Sequence, residues 1–263
     1  MMNRRILLLT AAAAAGTTLV RPYAAMAESH AAAKGGMGDA FKSANGEVVI
    51  HPVSHASFVM ETPAGVIYND PVGGAKLYEE MPAPDLILIT HEHGDHFDPE
   101  TLTALVGDKT GLIVNPAVFE KLPDELKAKA TSLSNGDSTD ALGTTIKAIP
   151  AYNTTEDRLN YHPQGRDNGY VFSADGLRIY IAGDTEDIPE MRAQTGIDIA
   201  FVPFNLPYTM TEEQAASAVA EFKPKVVYPY HYKGSDTDLF TKLLSDAGAE
   251  TEVRIGPWYG ESA

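Results

Sequence analysis

The sequence predicts a mixed α/β fold in which two sheets pack face to face with helices outside. Strand-like segments come first and turn back as hairpins, and strands then alternate with helices. Chemistry-bearing motifs fall at strand ends along the whole chain and must converge on one place, which argues for one domain. The chain of 263 residues is 44% hydrophobic, long enough to bury a core without covalent staples. It has no cysteine, which removes disulfides and thiolate metal ligands alike.

Residues 1–27 read as a signal peptide of the twin-arginine type. Arg4-Arg5 precede the apolar stretch Ile6–Val20, and Ala25-Met26-Ala27 supplies a small-x-small cleavage pattern before Glu28. The stretch is short for a membrane span of about 20 residues. Residues 28–44, rich in Ala, Gly and Ser without an apolar period, read as a flexible lead-in to a folded domain over 45–263.

Strands are expected at Val48–Ile50, Phe58–Glu61 and Val66–Tyr68, the last two joined by the turn Pro63-Ala64-Gly65. Leu86–Thr90 is a continuous apolar strand. Asp98 then caps a helix from Pro99 to Val106. A strand at Gly111–Val114 precedes helices over Pro116–Lys121 and Pro123–Ala130. Thr144–Ile149 is a strand, followed by a long polar loop over 151–168. Tyr170–Phe172 and Leu177–Ile181 form a hairpin across Ala174-Asp175-Gly176. Ile197–Phe204 is a strand, and Thr211–Phe222 a helix opened by a Thr211/Gln214 capping box. Strand Lys225–Tyr230, helix Asp236–Ala247 and strand Glu250–Ile255 complete the chain, with no residue-level repeat.

The loop after Leu86–Ile89 places His91, His93, Asp95 and His96 within six residues. Neutral imidazole nitrogens and carboxylate oxygens suit zinc and similar borderline metals, whereas a calcium loop would offer mostly oxygen. A buried strand emptying into such a loop holds ligands at a rigid sheet edge. The run is read as a metal site.

Four other landmarks occur in order: Ser54-His55-Ala56-Ser57-Phe58, Asn69-Asp70-Pro71, Ala182-Gly183-Asp184-Thr185 and Tyr228-Pro229-Tyr230-His231-Tyr232. With the His-x-His-x-Asp-His loop they resemble the metallo-β-lactamase superfamily over most of residues 47–257. The subgroup most similar is the metal-dependent hydrolases related to ascorbate-6-phosphate lactonase. The resemblance implies a four-layer αββα sandwich. It also implies that His91 and His93 serve one metal, Asp95 and His96 a second, that Asp184 bridges them and that His231 completes the second site. Asp95 would be catalytic, holding a water and taking its proton. Taken alone, Asp184 is also compatible with an ordinary turn residue, and His231 with a partly buried strand histidine.

One position departs from the family pattern. Many relatives carry a histidine where this chain has Asn153, whose amide oxygen is a weaker zinc ligand than imidazole. His162, nine residues on, can replace it, contact substrate, or be an ordinary loop histidine. His55 can orient a metal ligand, contact substrate, or be a structural histidine bonded to backbone. His51 lies in a strand without a motif, and His30 in the lead-in.

The expected function is an exported, periplasmic or secreted hydrolase of a small ester, lactone or phosphodiester, acting through a metal-activated hydroxide. Its cofactor is zinc, one or two ions, with manganese or iron also open. The loop Phe204–Thr209 would build the substrate pocket, with Asn205 or Tyr208 donating to a developing oxyanion. Cleaving residues 1–27 removes three arginines and no acid, taking the net charge from −16 to −19. So acidic a surface disfavours nucleic acid as a partner. No stable membrane insertion is expected after cleavage, and no heptad marks an oligomer interface. Two alternatives stand beside this reading. One is a periplasmic metal- or ligand-binding protein of the same fold with little or no catalysis. The other is a di-iron oxidoreductase, whose known members usually carry Glu where this chain has His93.

Overall fold

The computed structural model describes residues 38–260, so the signal peptide and its cleavage site lie outside the described residues. Two seven-stranded sheets follow chain order. The first contains β1 (Asp39–Lys42), β2 (Glu47–Ser54), β3 (Ser57–Thr62), β4 (Gly65–Asn69), β5 (Leu86–Leu88), β6 (Gly111–Val114) and β7 (Ala130–Ser132). The second contains β8 (Ser138–Ala141), β9 (Thr144–Ala151), β10 (Asp167–Ala174), β11 (Leu177–Ile181), β12 (Ile199–Pro203), β13 (Val226–Tyr230) and β14 (Glu252–Val253). In both, four antiparallel strands are extended by three parallel ones. The architecture therefore repeats in the two halves although the residues do not.

Strand periodicity sorts side chains into layers. In the first sheet Phe58, Met60, Leu86, Leu88 and Ile113 join the core that the second sheet shares. Their neighbours Val59, Ile87, Ile89, Leu112 and Val114 join a separate cluster containing Leu102 and Val118. Those two come from α1 (Pro99–Leu105) and α2 (Pro116–Lys121), which thus cover the outer face. The second sheet is backed by α5 (Glu212–Phe222) and α6 (Thr237–Asp246). Its parallel strands β12 and β13 are buried at every residue, as strands covered on both faces must be. Asp98 and Thr211 cap α1 and α5 as expected, the latter with a full capping box.

Several boundaries differ from expectation. The segment 28–44 is not lead-in throughout: β1 falls inside it, pairing Asp39 with Ile50, so the folded domain begins before residue 45. One aromatic anchors it, since Phe41 packs edge-on to Tyr228 and lies under Arg254. The expected helix over Pro123–Ala130 shrinks to the single turn α3 (Asp124–Lys127), because Ala130 enters β7. The edge strand β8 has no apolar period to announce it, and the four-residue α4 (Pro189–Arg192) is too short for one.

The two sheets meet through aromatic stacking. Phe58 of β3 lies on Phe201 of β12 at 4.0 Å between ring centroids and 9° between planes, and both are fully buried. Phe58→Ala is expected to lower the unfolding free energy by about 3–5 kcal/mol. Urea denaturation checks this, and a loss below about 1 kcal/mol would mean that this contact does not join the sheets.

Candidate metal centre

The centre is built where strands end. His55 follows β2, Asp70 follows β4, His91–His96 follow β5, Asn153 follows β9, Asp184 follows β11 and His231 follows β13. Because β2, β4 and β5 run in one direction, and β9, β11 and β13 likewise, these carboxyl ends share an edge within each sheet. Backbone hydrogen bonds close the seam between the two edges. His231 N–H donates to His55 C=O at 2.9 Å, and Asn168 N–H to Thr90 C=O at 3.0 Å.

The turns are tight. Three of the six described non-glycine residues with positive φ are here: His55 (50°), Asp70 (43°) and His231 (48°). Such backbone is costly and gathers at functional sites. Gly183 (φ 68°) lets the chain turn into Asp184, since a Cβ there would stand 2.6 Å from Asn168 O.

Asp184 lies at the middle and is 2% exposed. Its oxygens are 3.1 Å from His231 Nε2, 3.5 Å from His96 Nε2, 3.5 Å from His162 Nε2 and 3.8 Å from His91 Nε2. Around it, His91, His93 and His162 form one donor group, and His55, Asp95, His96 and His231 another. His91 Nε2 faces His93 Nδ1 at 3.1 Å, and His231 Nε2 faces Asp95 Oδ2 at 3.5 Å. Donors about 2.0–2.1 Å from a tetrahedral zinc stand roughly 3.3 Å apart, so these separations fit a shared cation.

The outer partners fix which nitrogens face inward. His96 Nδ1 donates to Asp70 Oδ2 at 2.9 Å, and His162 Nδ1 to Asp167 Oδ2 at 3.1 Å. Thr90 gives its hydroxyl proton to Asp70, so its oxygen accepts from His91 Nδ1 at 3.0 Å. All three imidazoles thus present Nε2 to the centre, the second layer that a ligating histidine requires. His96 Nε2 and Asp184 Oδ1 are buried with no hydrogen-bond partner among the described residues, as groups awaiting a cation are. The residues present fit a metal pair. His231 is less complete, since its buried Nδ1 has no partner among the described residues.

Charge within the centre is divided. Burial pushes His91 well below its ordinary value, and also lowers His93 and His55. Burial opposes charge on His96 too, yet Asp184 and Asp70 outweigh it and raise this pKa well above 6.5. His231 is pushed up to about 9, Asp184 and Asp95 overcoming its burial. Asp184 and Asp95, despite desolvation, are held below the usual carboxylate range by the histidines. Without metal, protons on His96 and His231 balance Asp184.

His162 therefore joins the first donor group, and Asn153 does not. The Asn153 amide donates to Tyr208 O at 2.8 Å and Arg158 O at 3.1 Å, while its N–H donates to His162 O at 2.8 Å. It ties down the loop that carries His162. Buried Glu186 clamps the same loop: its Oε2 accepts from the N–H and hydroxyl groups of Thr154 and Thr155, and its Oε1 pairs with Arg158 at 2.9 Å. Arg158 in turn donates to Thr209 O at 2.8 Å.

The ring of His55 bonds no backbone. Its Nδ1 meets the Tyr259 hydroxyl at 2.9 Å and its Nε2 meets Asp95 Oδ2 at 3.2 Å. The Asn205 amide donates one N–H to Lys233 O at the cavity wall, leaving its second N–H as a donor. The reading of the sequence missed Asp167, Arg166, Glu186 and Tyr259 as supports. Asp70 was visible only as part of the Asp-Pro landmark. A cavity of about 990 Å³ opens over the centre, lined among others by Asp95, Asp184, Tyr161, Leu206, Tyr208 and Lys233.

Comparison with known proteins agrees with this geometry. Residues 49–231 match the β-lactamase superfamily domain family. A metal-dependent hydrolase of Pyrococcus abyssi is 30% identical over 219 residues, covering 78% of this chain and 95% of its own. One from Thermococcus onnurineus is 32% identical over 214 residues, covering 76% and 93%. A crystal structure from Parabacteroides distasonis, named as a metal-dependent hydrolase, matches at a TM-score of 0.76 and 45% identity over 83% of this chain and 97% of that one.

Metal must displace the protons on His96 and His231. Adding two equivalents of zinc to metal-free protein at about pH 7.5 is expected to release about two protons or more per molecule, read with an indicator in weak buffer. Affinity should rise as pH climbs toward about 9, the value to which His231 is pushed. Release below about half a proton would contradict this charge distribution. Separately, Glu186→Ala strands Arg158 and is expected to cost about 3–5 kcal/mol in denaturant unfolding. A change within about 0.5 kcal/mol would mean that the clamp is idle.

Proposed function

The chain belongs to the metallo-β-lactamase superfamily and is a metal-dependent hydrolase, and we propose that it is an exported one holding two zinc ions and cleaving a small ester or lactone. His91, His93 and His162 would hold one ion, and Asp95, His96 and His231 the other, with Asp184 between them. The observation that carries this reading is the buried Asp184 carboxylate among four inward-facing imidazole nitrogens at 3.1–3.8 Å.

When bound, the ions supply Lewis acidity for activating water and polarising the attacked oxygen. The chain's own groups do the rest. Asp95, half exposed to the cavity, keeps its charge, accepts a hydrogen bond from the attacking water and takes its proton. Tyr259 stays neutral because burial raises its pKa. Its oxygen accepts from the N–H groups of Tyr232 and Lys233, which leaves its O–H to donate to His55 Nδ1. His55 therefore carries its proton on Nε2 and donates it to Asp95, holding that carboxylate in place.

His162 beside His91 and His93, a third imidazole for the first ion, supports the hydrolase over a binding protein without catalysis. Export to the periplasm or beyond rests on the sequence of residues 1–27. No helix among the described residues is long and apolar enough to cross a membrane.

Zinc-loaded protein is expected to hydrolyse members of a panel of aryl esters and lactones, and to lose that activity to a chelator. His162→Ala should reduce bound zinc from about two equivalents to about one by elemental analysis, and lower kcat about a hundredfold. Two retained ions in the variant would remove His162 from the site. Tight metal binding without turnover on any substrate would favour the binding-protein reading.

A further inference from the structure

We propose that the substrate is an ester or lactone that carries its own carboxylate beside an apolar segment, with Lys233 recognising the carboxylate and Leu206-Pro207-Tyr208 the apolar part. This rests on the hydrolase reading and specifies what the cavity admits.

Among the described residues, Lys233 is the only lysine or arginine lining the cavity. The cations nearby are spent: Arg158 pairs with Glu186, and Arg166 with Asp167 and Glu92. The Lys233 ammonium has no such partner among the described residues, and its backbone is pinned on both sides. Its N–H donates to the Tyr259 hydroxyl at 3.0 Å, and its carbonyl accepts from the Asn205 amide. It stands two residues after His231 and lines the cavity over the centre on a flexible four-carbon stem.

The same Asn205 opens the apolar lip. Leu206 is 51% exposed and Tyr208 45%, two of the five large hydrophobic side chains exposed among the described residues, and both line this cavity. Leu159, also exposed, lies on the neighbouring His162 loop. Exposed apolar groups gathered at a cavity mouth mark a binding surface. The lip is not loose, because Asn153 holds Tyr208 O and Arg158 holds Thr209 O. A single cation set against this lip suits an apolar chain that ends in a charge.

The charge favoured is a carboxylate rather than a phosphate. Phosphate sites gather several donors, such as helix N-terminal N–H groups or an arginine fork. Here α6 begins four residues beyond Lys233 with its own acids, its N-cap Asp236 accepting from Leu239 N–H and Asp238 in the first turn. That leaves one ammonium, a match for one negative charge.

The test compares esters matched in length. p-Nitrophenyl hexanoate is neutral, while mono-p-nitrophenyl adipate carries the carboxylate on the acyl side. Phenyl hexanoate and its para-carboxyphenyl counterpart differ on the leaving side. In zinc-loaded wild type, kcat/KM for at least one charged ester is expected to exceed its neutral partner about tenfold. That ratio should fall to about one in Lys233→Gln and below one in Lys233→Glu, and Leu206→Ser should lower the preference for hexanoate over acetate. Equal rates for charged and neutral esters, or a preference that survives Lys233→Gln, overturns the inference and leaves the hydrolase reading intact. A preference transferred to phosphate-bearing esters overturns the choice of carboxylate. Absence of chelator-sensitive hydrolysis of every ester overturns the hydrolase reading itself, and this inference with it.

Discussion

The rest of the structure depends on a carboxylate that is almost wholly buried among imidazoles. Asp184 is enclosed at the seam of two sheets, and one of its oxygens lacks a hydrogen-bond partner among the described residues. A charge in that position costs several kcal/mol unless cations surround it. In the metal-free state protons on His96 and His231 supply them, and in a loaded state metal ions held by the surrounding histidines would. The imidazoles cannot be placed casually, because each must face inward through one nitrogen while the other is satisfied from behind. Asp70, Thr90 and Asp167 do that for His96, His91 and His162.

The fold meets this demand through its repeated topology. Each sheet delivers carboxyl ends of parallel-running strands to the same edge, and stacking of Phe58 on Phe201 keeps the two sheets in register behind the centre. Loops that would otherwise wander are tied by buried polar groups. Glu186, two residues from Asp184, holds the loop that returns to His162, so one turn supports both the central carboxylate and the histidine that completes the first donor group. The same contacts stiffen the Leu206–Thr209 lip, which links the shape of the cavity to the integrity of the centre.

Much of this was legible in the sequence, for physical reasons that differ by residue. The His91–His96 loop is dense enough in ligand atoms to declare itself, and apolar strands with capped helices announced most elements. Asp184 and His231 were found because they sit in motifs that resemble a known family, not because their spacing points to a metal. The role of His162 was left open, since a nine-residue offset in a polar loop says nothing about reach. What brings it beside His91 and His93 is a set of Asn153 and Glu186 hydrogen bonds that join residues up to 55 positions apart. Strands β1 and β8 were hidden because edge strands bury few residues and show little period. Arg166 and Tyr259 support ligands from positions that carry no local pattern at all.

The most direct measurement is anomalous diffraction at the zinc absorption edge from crystals of the zinc-loaded protein. Two peaks are expected on either side of Asp184, one among His91, His93 and His162 and the other among Asp95, His96 and His231. A single peak, or zinc lying away from Asp184, would contradict a paired centre organised around that carboxylate.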